Sequence, residues 1–223
     1  MKVCCLFSGG KDSAYALHRM LLSGFEVPVL LTIRPSDRHS TLYHSPGIEI
    51  SHLYEGLTGI KTEIVDAPIK GEAEHLTGIL KDLKAKYDLD AVCSGALLSD
   101  HQRMNFTHSA TDAGLISYTP LWRKDGTRYM NELHEQGFSY MLISYSSAGF
   151  VPSDIGIPVD EKLLSRFFEL SMKWGSHPAF EGGEAETLIL SAPLFPKGLK
   201  VKGSVKVEGE HNASFLIEEA ELI

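Results

Sequence analysis

Residues 6–20 read LFSGGKDSAYALHRM, and this stretch decides the fold. An apolar run, KVCCLF over 2–7, ends at Ser8. The chain turns on Gly9 and Gly10, and a helical pattern begins near Ser13, with Ala14, Leu17 and Leu21 along one stripe. A strand, a glycine turn and a helix in immediate succession can seat a phosphate. Glycines let successive backbone N–H groups face one anion, because no Cβ blocks the approach. The helix adds the positive end of its dipole. Lys11 supplies a point charge, and Ser8 and Ser13 supply hydroxyl donors. Asp12 looks out of place beside phosphate, unless it caps loop amides or holds Mg²⁺. GxxxxGK[ST] is not met, since Asp12 follows Gly10-Lys11 and no glycine lies five residues before Gly10; GxGxxG is absent too.

Outward from this loop, strands and helices alternate. VPVLLTI (27–33), KTEIVDAP (61–68) and AVCSGAL (91–97) read as strands; helices are expected over 48–58, 71–86 and 99–113. Alternation of this kind predicts a parallel sheet covered on both faces. Ligands in such sheets bind at the carboxyl ends of strands. Polar clusters follow three strand ends, at Ser8–Ser13, Arg34–Pro46 and Ser94–Arg103, and are expected to converge on one crevice. After TPLWRKDG (119–126) the rhythm changes to a helix at 128–137, a strand at 139–145 and a helix at 160–174. HPAFEGGEAETLILSAPLF (177–195) and an alternating tail suited to antiparallel strands complete the chain. The expected division is an α/β nucleotide-binding domain over 1–122 and a smaller α+β domain over 123–223.

The chain has 223 residues and a net charge of −8, a balance that argues against bulk nucleic-acid binding, which needs a basic footprint. Cys4, Cys5 and Cys93 form no CxxC pair, so zinc and thioredoxin-like chemistry have no support; they read as small buried residues of a reducing compartment. No leader or long apolar stretch opens the sequence, so a cytoplasmic protein without membrane association is expected. The histidines lack HxxxH or HxH spacing, and none is assigned to a metal. In the tail, Lys200, Lys202 and Lys206 alternate with valines and fall on one face, read as solvated unless a protein partner covers it.

Ser8-Gly9-Gly10-Lys11-Asp12-Ser13, placed after the first strand of an α/β sheet, resembles the loop of the PP-loop ATP pyrophosphatases, whose nucleotide domain is HUP-like. The resemblance implies that the loop grips the β and γ phosphates of ATP as a leaving group. Two further stretches, GALLSDHQRMNFTHSATDAGLISYTPLW (95–122) and FEGGEAETLILSAPLF (180–195), resemble the diphthine–ammonia ligase family across nearly the whole chain. That family amidates the carboxylate of diphthine, a modified histidine on translation elongation factor two. ATP yields AMP and pyrophosphate, through an acyl-adenylate, and ammonium supplies the nitrogen.

What the resemblance implies for this sequence falls into two groups. Nucleotide contacts are expected at Ser8, Gly9, Gly10, Lys11, Asp12, Ser13, His44, Gly95 and Arg103, with Asp12 toward Mg²⁺. His44 belongs to a Tyr43-His44-Ser45-Pro46 segment similar to one the family carries near its nucleotide; lid and plain loop both stay open. Acceptor contacts are expected at Asp100, Arg103, Glu181, Gly182, Gly183, Glu184, Glu186 and Thr187: the acidic side chains of the second run suit a trimethylammonium, an imidazole or ammonium, and Arg103, oriented by Asp100, suits a phosphate or the target carboxylate. Lys11, Asp12, Glu184 and Glu186 are the candidate catalytic residues. The alternatives are a PP-loop enzyme modifying an RNA base and a nucleotide-binding module without catalysis. A homodimer stays open.

Overall fold

The computed structural model describes residues 1–36 and 47–223. Tyr43, His44 and Pro46 therefore lie outside the described residues. Two compact units divide the chain. The first takes Met1–Ser8, Asp12–Glu55 and Gly59–Arg123; the second takes Lys124–Ile223 together with Gly9–Lys11 and Gly56–Thr58.

The first unit runs β1 (Lys2–Leu6), α1 (Lys11–Leu22), β2 (Glu26–Arg34), a 3₁₀ turn (Ile48–Leu53), α2 (Tyr54–Thr58), β3 (Thr62–Asp66), α3 (Glu72–Tyr87), β4 (Ala91–Cys93), α4 (Asp100–Asp112) and β5 (Ile116–Tyr118), with a few of these residues counted in the second unit. All five strands are parallel, in the order β3-β2-β1-β4-β5. The chain winds outward one way from β1 and then returns to the other side, so the strand order reverses between β1 and β4. Their carboxyl ends flank the crevice where such sheets bind ligands.

One face of this sheet packs Cys4, Val29, Leu31 and Val92 against Leu76, Leu80 and Leu83 of α3 and Phe106 and Ala110 of α4. Alternation turns Val3 and Cys5 to the other face, where they too are buried. Near-complete burial explains why these strands read as unbroken apolar runs. Burial pushes the Cys4 thiol well above its usual range, and the Cys93 thiol followed by burial does so for Cys5. Thiols held protonated in this way are inert.

In the second unit α5 (Gly126–Glu135), β6 (Ser139–Ser146), α6 (Glu161–Trp174), β7 (Ala185–Ser191), β8 (Leu199–Gly209) and β9 (Asn212–Leu222) follow. The four strands form an antiparallel sheet, β7-β6-β9-β8. Tyr129, Met130 and Leu133 of α5 and Leu163, Leu164, Phe167 and Leu170 of α6 are buried at helical spacing. Phe150 and Phe167 both meet Phe180 edge-on, with centroids 6.0 and 5.4 Å away, and tilt against each other at 5.6 Å. The tail lysines are ion-paired: Lys200 with Glu221 at 3.0 Å, Lys202 with Glu219 at 2.8 Å and Lys206 with Glu208 at 3.1 Å. The class is α/β with a smaller α+β part, as the alternation predicted.

The structure differs from the expected elements in four places. Helix α1 starts at Lys11 rather than Ser13, because Gly9 alone takes the left-handed conformation (φ 81°) that completes the turn. Strand β4 stops at Cys93 instead of Leu97, where Gly95 leaves the ladder to pack on the first turn of α1. Strand β5 has only three residues, too few for a period to register. The helix expected over 48–58 is a 3₁₀ turn followed by the five-residue α2.

Candidate active site

The glycine loop starts from a fixed strand end. Thr32 Oγ1 donates to the Phe7 carbonyl at 2.7 Å. The Ser8 carbonyl lies 3.1 Å from the Tyr54 hydroxyl, which also reaches the Gly47 carbonyl at 3.2 Å. Tyr54 is fully buried, and that burial pushes its phenol well up, so it stays a neutral donor. Ser8 Oγ donates to Ser13 Oγ at 3.3 Å, which puts the two hydroxyls at the mouth of α1 side by side. Asp12 stands in the first turn of α1, where a carboxylate complements the dipole.

The neighbouring loop, after β4, presses on this turn. A Cβ at Gly95 would fall 2.8 Å from the Asp12 carbonyl carbon and 2.9 Å from Ser13 N. Only a glycine permits backbone to pass this close, so Gly95 has a packing reason to be there. Beside it Ser94 is buried, and its Oγ has no hydrogen-bond partner. Ser99 caps α4 by accepting from Gln102 N at 3.2 Å. Asp100 opens that helix and receives Arg103 Nη2 at 3.3 Å. The Arg103 guanidinium lies 4.5 Å from the Trp122 ring centroid, and its Nε is buried without a partner. Of the three polar clusters, the first and last touch where Gly95 packs on the Asp12–Ser13 backbone; the Arg34–Pro46 cluster falls mostly outside the described residues.

In the second unit, Gly9–Lys11 lie along the edge of β7. The Gly9 carbonyl accepts from Ile189 N at 2.8 Å, and Lys11 N donates to Thr187 Oγ1 at 3.2 Å. The Lys11 side chain is buried. Its ammonium donates to the Ala179 carbonyl at 2.9 Å and lies 5.4 and 5.9 Å from the Phe180 and Tyr129 ring centroids. A cation between two ring faces and a carbonyl is well satisfied.

The acidic run separates its members. Glu184 is buried and turns back on its own loop, accepting from His177 N at 2.6 Å and Gly182 N at 2.8 Å. A Cβ on Gly182 would stand 2.6 Å from that carboxylate, so the fold-back needs glycine there. The carboxylate expected to face an acceptor is thus engaged by backbone amides. Glu181 and Glu186 are partly exposed, and Thr187 serves the Lys11 amide. His177 Nδ1 accepts from Ala179 N at 3.2 Å, which makes Nδ1 the unprotonated nitrogen of this ring in the neutral form.

Sequence reasoning passed over Tyr54, Trp122, His177 and the Ala179 carbonyl. Trp122 closes the first of the quoted family stretches and His177 stands three residues before the second, yet no spacing marks them. Among the described residues, no three His, Cys, Asp or Glu side chains gather as metal ligands, and no helix is long and apolar enough to cross a membrane. Asp12 alone still fits Mg²⁺, which binds through one or two carboxylates plus phosphate oxygens and water.

A five-stranded parallel sheet whose order reverses beside a glycine loop and a helix N-terminus makes the first unit an α/β domain of the doubly wound kind. Residues 1–117 match the diphthamide synthase N-terminal domain, and residues 125–223 match the diphthamide synthase C-terminal domain. The chain belongs to the diphthamide synthase family. It is 32% identical to a Schizosaccharomyces pombe protein named diphthine–ammonia ligase, over 93% of this chain, but spans only 37% of that protein's length. Proteins of the same name from Bos taurus and Danio rerio are 29% and 30% identical. They cover 92% and 93% of this chain, which spans 84% and 89% of theirs. A solved structure from Methanocaldococcus jannaschii, described as a predicted subunit of tRNA methyltransferase, is similar at a TM-score of 0.42 and 14% identity, over 86% of this chain and 98% of its own. So slight a likeness decides nothing about the site.

Proposed function

We propose that this chain is an ATP-dependent diphthine–ammonia ligase. The observation that carries the reading is the match to both family domains in chain order. A carboxylate resists ammonia because its leaving group would be oxide. Attack of one carboxylate oxygen on the α-phosphorus of ATP forms an acyl-adenylate and expels pyrophosphate. Ammonia then adds to the carbonyl, AMP leaves, and one proton is released as the amide forms.

Each residue has a proposed part. Ser8, Gly9, Gly10 and Ser13 hold the departing pyrophosphate through amides and hydroxyls at the start of α1. Lys11 adds charge, and to do so its ammonium exchanges the Ala179 carbonyl for a phosphoryl oxygen. Gly95 lets the β4 loop seat against this turn. Asp12 would hold Mg²⁺, which neutralises phosphoryl charge when bound. His44 is proposed near the nucleotide. Asp100 orients Arg103 toward an oxyanion. Glu181, Gly182, Gly183 and Thr187 shape the acceptor side, Glu184 holds that loop together, and Glu186 carries the charge that meets the acceptor's cation or ammonium. The acceptor is translation elongation factor two bearing diphthine, which places the protein in the cytoplasm.

The test is incubation with diphthine-bearing elongation factor, ATP and ammonium. Mass spectrometry should find the amide, and chromatography should find AMP with pyrophosphate. ADP and orthophosphate as the main products would overturn the reading.

A further inference from the structure

Arg103 is held in an unusual way. It enters α4 in the first turn, with its N–H on the Ser99 carbonyl at 3.0 Å. The guanidinium carbon lies 4.5 Å from the Trp122 ring centroid, and the Arg123 guanidinium is 5.7 Å from the same ring. Trp122 is itself anchored. Its N–H donates to the Thr119 carbonyl at 3.0 Å, and the next residue's N–H, Arg123, donates to the Leu97 carbonyl at 2.8 Å. Arg123 accepts a left-handed φ of 58° to make that bond. A non-glycine residue stays in that conformation only where its surroundings enforce it. The bond to Leu97 ties the tryptophan turn to the loop after β4, the loop that leads into Arg103.

The result is a guanidinium with one face on a ring and one long ion pair, Nη2 to Asp100 at 3.3 Å. Its Nε–H is buried and has no acceptor. Leaving a buried charged donor unmet lowers stability, and native proteins rarely tolerate it without a reason. The Nε–H edge is one of the two that arginine uses for two-point capture of carboxylate or phosphate.

We propose that Trp122 is a positioning residue that holds the Arg103 guanidinium flat, so that its Nε–H edge captures a reactant oxyanion. This rests on the ligase reading, in which the oxyanion comes from an ATP phosphoryl group or from the acceptor carboxylate. Trp122 itself touches neither reactant.

The test compares Trp122→Leu, Trp122→Phe and Arg103→Lys, each checked for folding by thermal melting. Trp122→Leu should raise KM by about tenfold for one of ATP or acceptor, with the other two reactants, ammonium included, within about twofold. The reactant affected names the source of the oxyanion. Trp122→Phe, which keeps an aromatic face, should recover most of the loss. Arg103→Lys should reproduce it, because an ammonium has no flat edge. Trp122 and Trp174 are the chain's two tryptophans, so in a Trp174→Phe background emission reports Trp122 alone. If phosphate is the source, Mg·ATP and inorganic pyrophosphate should shift that emission, and Arg103→Lys should abolish the shift; if carboxylate is, they leave it unchanged.

A well-folded Trp122→Leu with wild-type constants for every reactant overturns the proposal. So does a Trp122→Phe as impaired as Trp122→Leu, or a loss spread evenly over all three reactants. Should Trp122→Leu not fold, Arg103→Lys decides: unchanged constants for ATP and acceptor overturn the proposal. A parent protein that makes no AMP would instead overturn the ligase reading.

Discussion

The loop Ser8–Ser13 and the run Glu181–Thr187 look alike as sequences. Each places two adjacent glycines among charged and hydroxyl side chains beside a strand. In the first, the glycines bring backbone to the mouth of α1, and the serine hydroxyls pair with each other there. In the second, glycine makes room for a side chain of the same loop, and Glu184 closes on the amides of His177 and Gly182. The same pair of glycines can therefore prepare a surface for a ligand or let a loop satisfy itself. The local question that separates the two is where the nearest carboxylate points.

The sharpest way to break this comparison is Glu184→Ala. It leaves two backbone N–H groups in a site only 8% exposed without their charged acceptor. At about 1–3 kcal/mol for each unmet group, unfolding in urea should show a loss of about 2–6 kcal/mol. Glu184→Gln should fall between, since it keeps one acceptor oxygen. A wild-type midpoint for Glu184→Ala would mean the loop does not depend on its carboxylate.

Gly95→Ala tests the first loop in the same spirit. The new Cβ would meet backbone of Asp12 and Ser13 at 2.8–2.9 Å, and backbone cannot step aside as a side chain can. Overpacking of this kind removes about 1–3 kcal/mol, and the shifted turn should weaken ATP binding in calorimetry. Normal stability with normal ATP affinity would show that the two loops have room to spare.

Glu186→Gln separates the acidic neighbours. Glu184 is buried in its loop, whereas Glu186 stands half-buried on β7. Stability and ATP affinity should stay near normal while amide formation slows by about 1–3 kcal/mol of transition-state stabilisation. ATP affinity lost with acceptor binding intact would assign Glu186 to the nucleotide instead.

How much of this was legible follows from the range over which each feature is determined. The β1–loop–α1 junction is local: a strand run, two glycines and a helical stripe lie within twenty residues, and so the parallel α/β class could be read directly. The extent of β4 was not, because Gly95 ends it by packing on Asp12, more than eighty positions away. Tyr54 and Trp122 escaped for the same reason, since their roles are set by the Ser8 carbonyl and by Arg103, which no periodicity connects to them. Charge in the acidic run was visible, but direction was not. A one-residue shift in the register of β7 on β6 would exchange which side chains face which way, and that register is not written in the run itself.

The smallest effect tests the point at which the glycine loop is fastened. Lys11 was expected to bring charge to phosphate; its backbone N–H donates to Thr187 Oγ1 at 3.2 Å, while Gly9 accepts from Ile189 N on the same strand. Thr187→Val removes the hydroxyl and keeps the branched shape, and valine suits a strand at least as well. One neutral hydrogen bond is worth about 0.5–1.5 kcal/mol, so unfolding stability should drop by about 1 kcal/mol or less. The effect on nucleotide decides what the bond is for. If Thr187 holds the loop in its working shape, ATP binds more weakly in Thr187→Val and Thr187→Ser restores it, because serine supplies the same acceptor. If Thr187 competes with phosphate for the Lys11 amide, Thr187→Val binds ATP more tightly despite its lower stability. We expect weaker binding, because the substitution removes one of the bonds that fix the orientation of the turn on β7. Tighter binding in calorimetry would show that β7 restrains the loop.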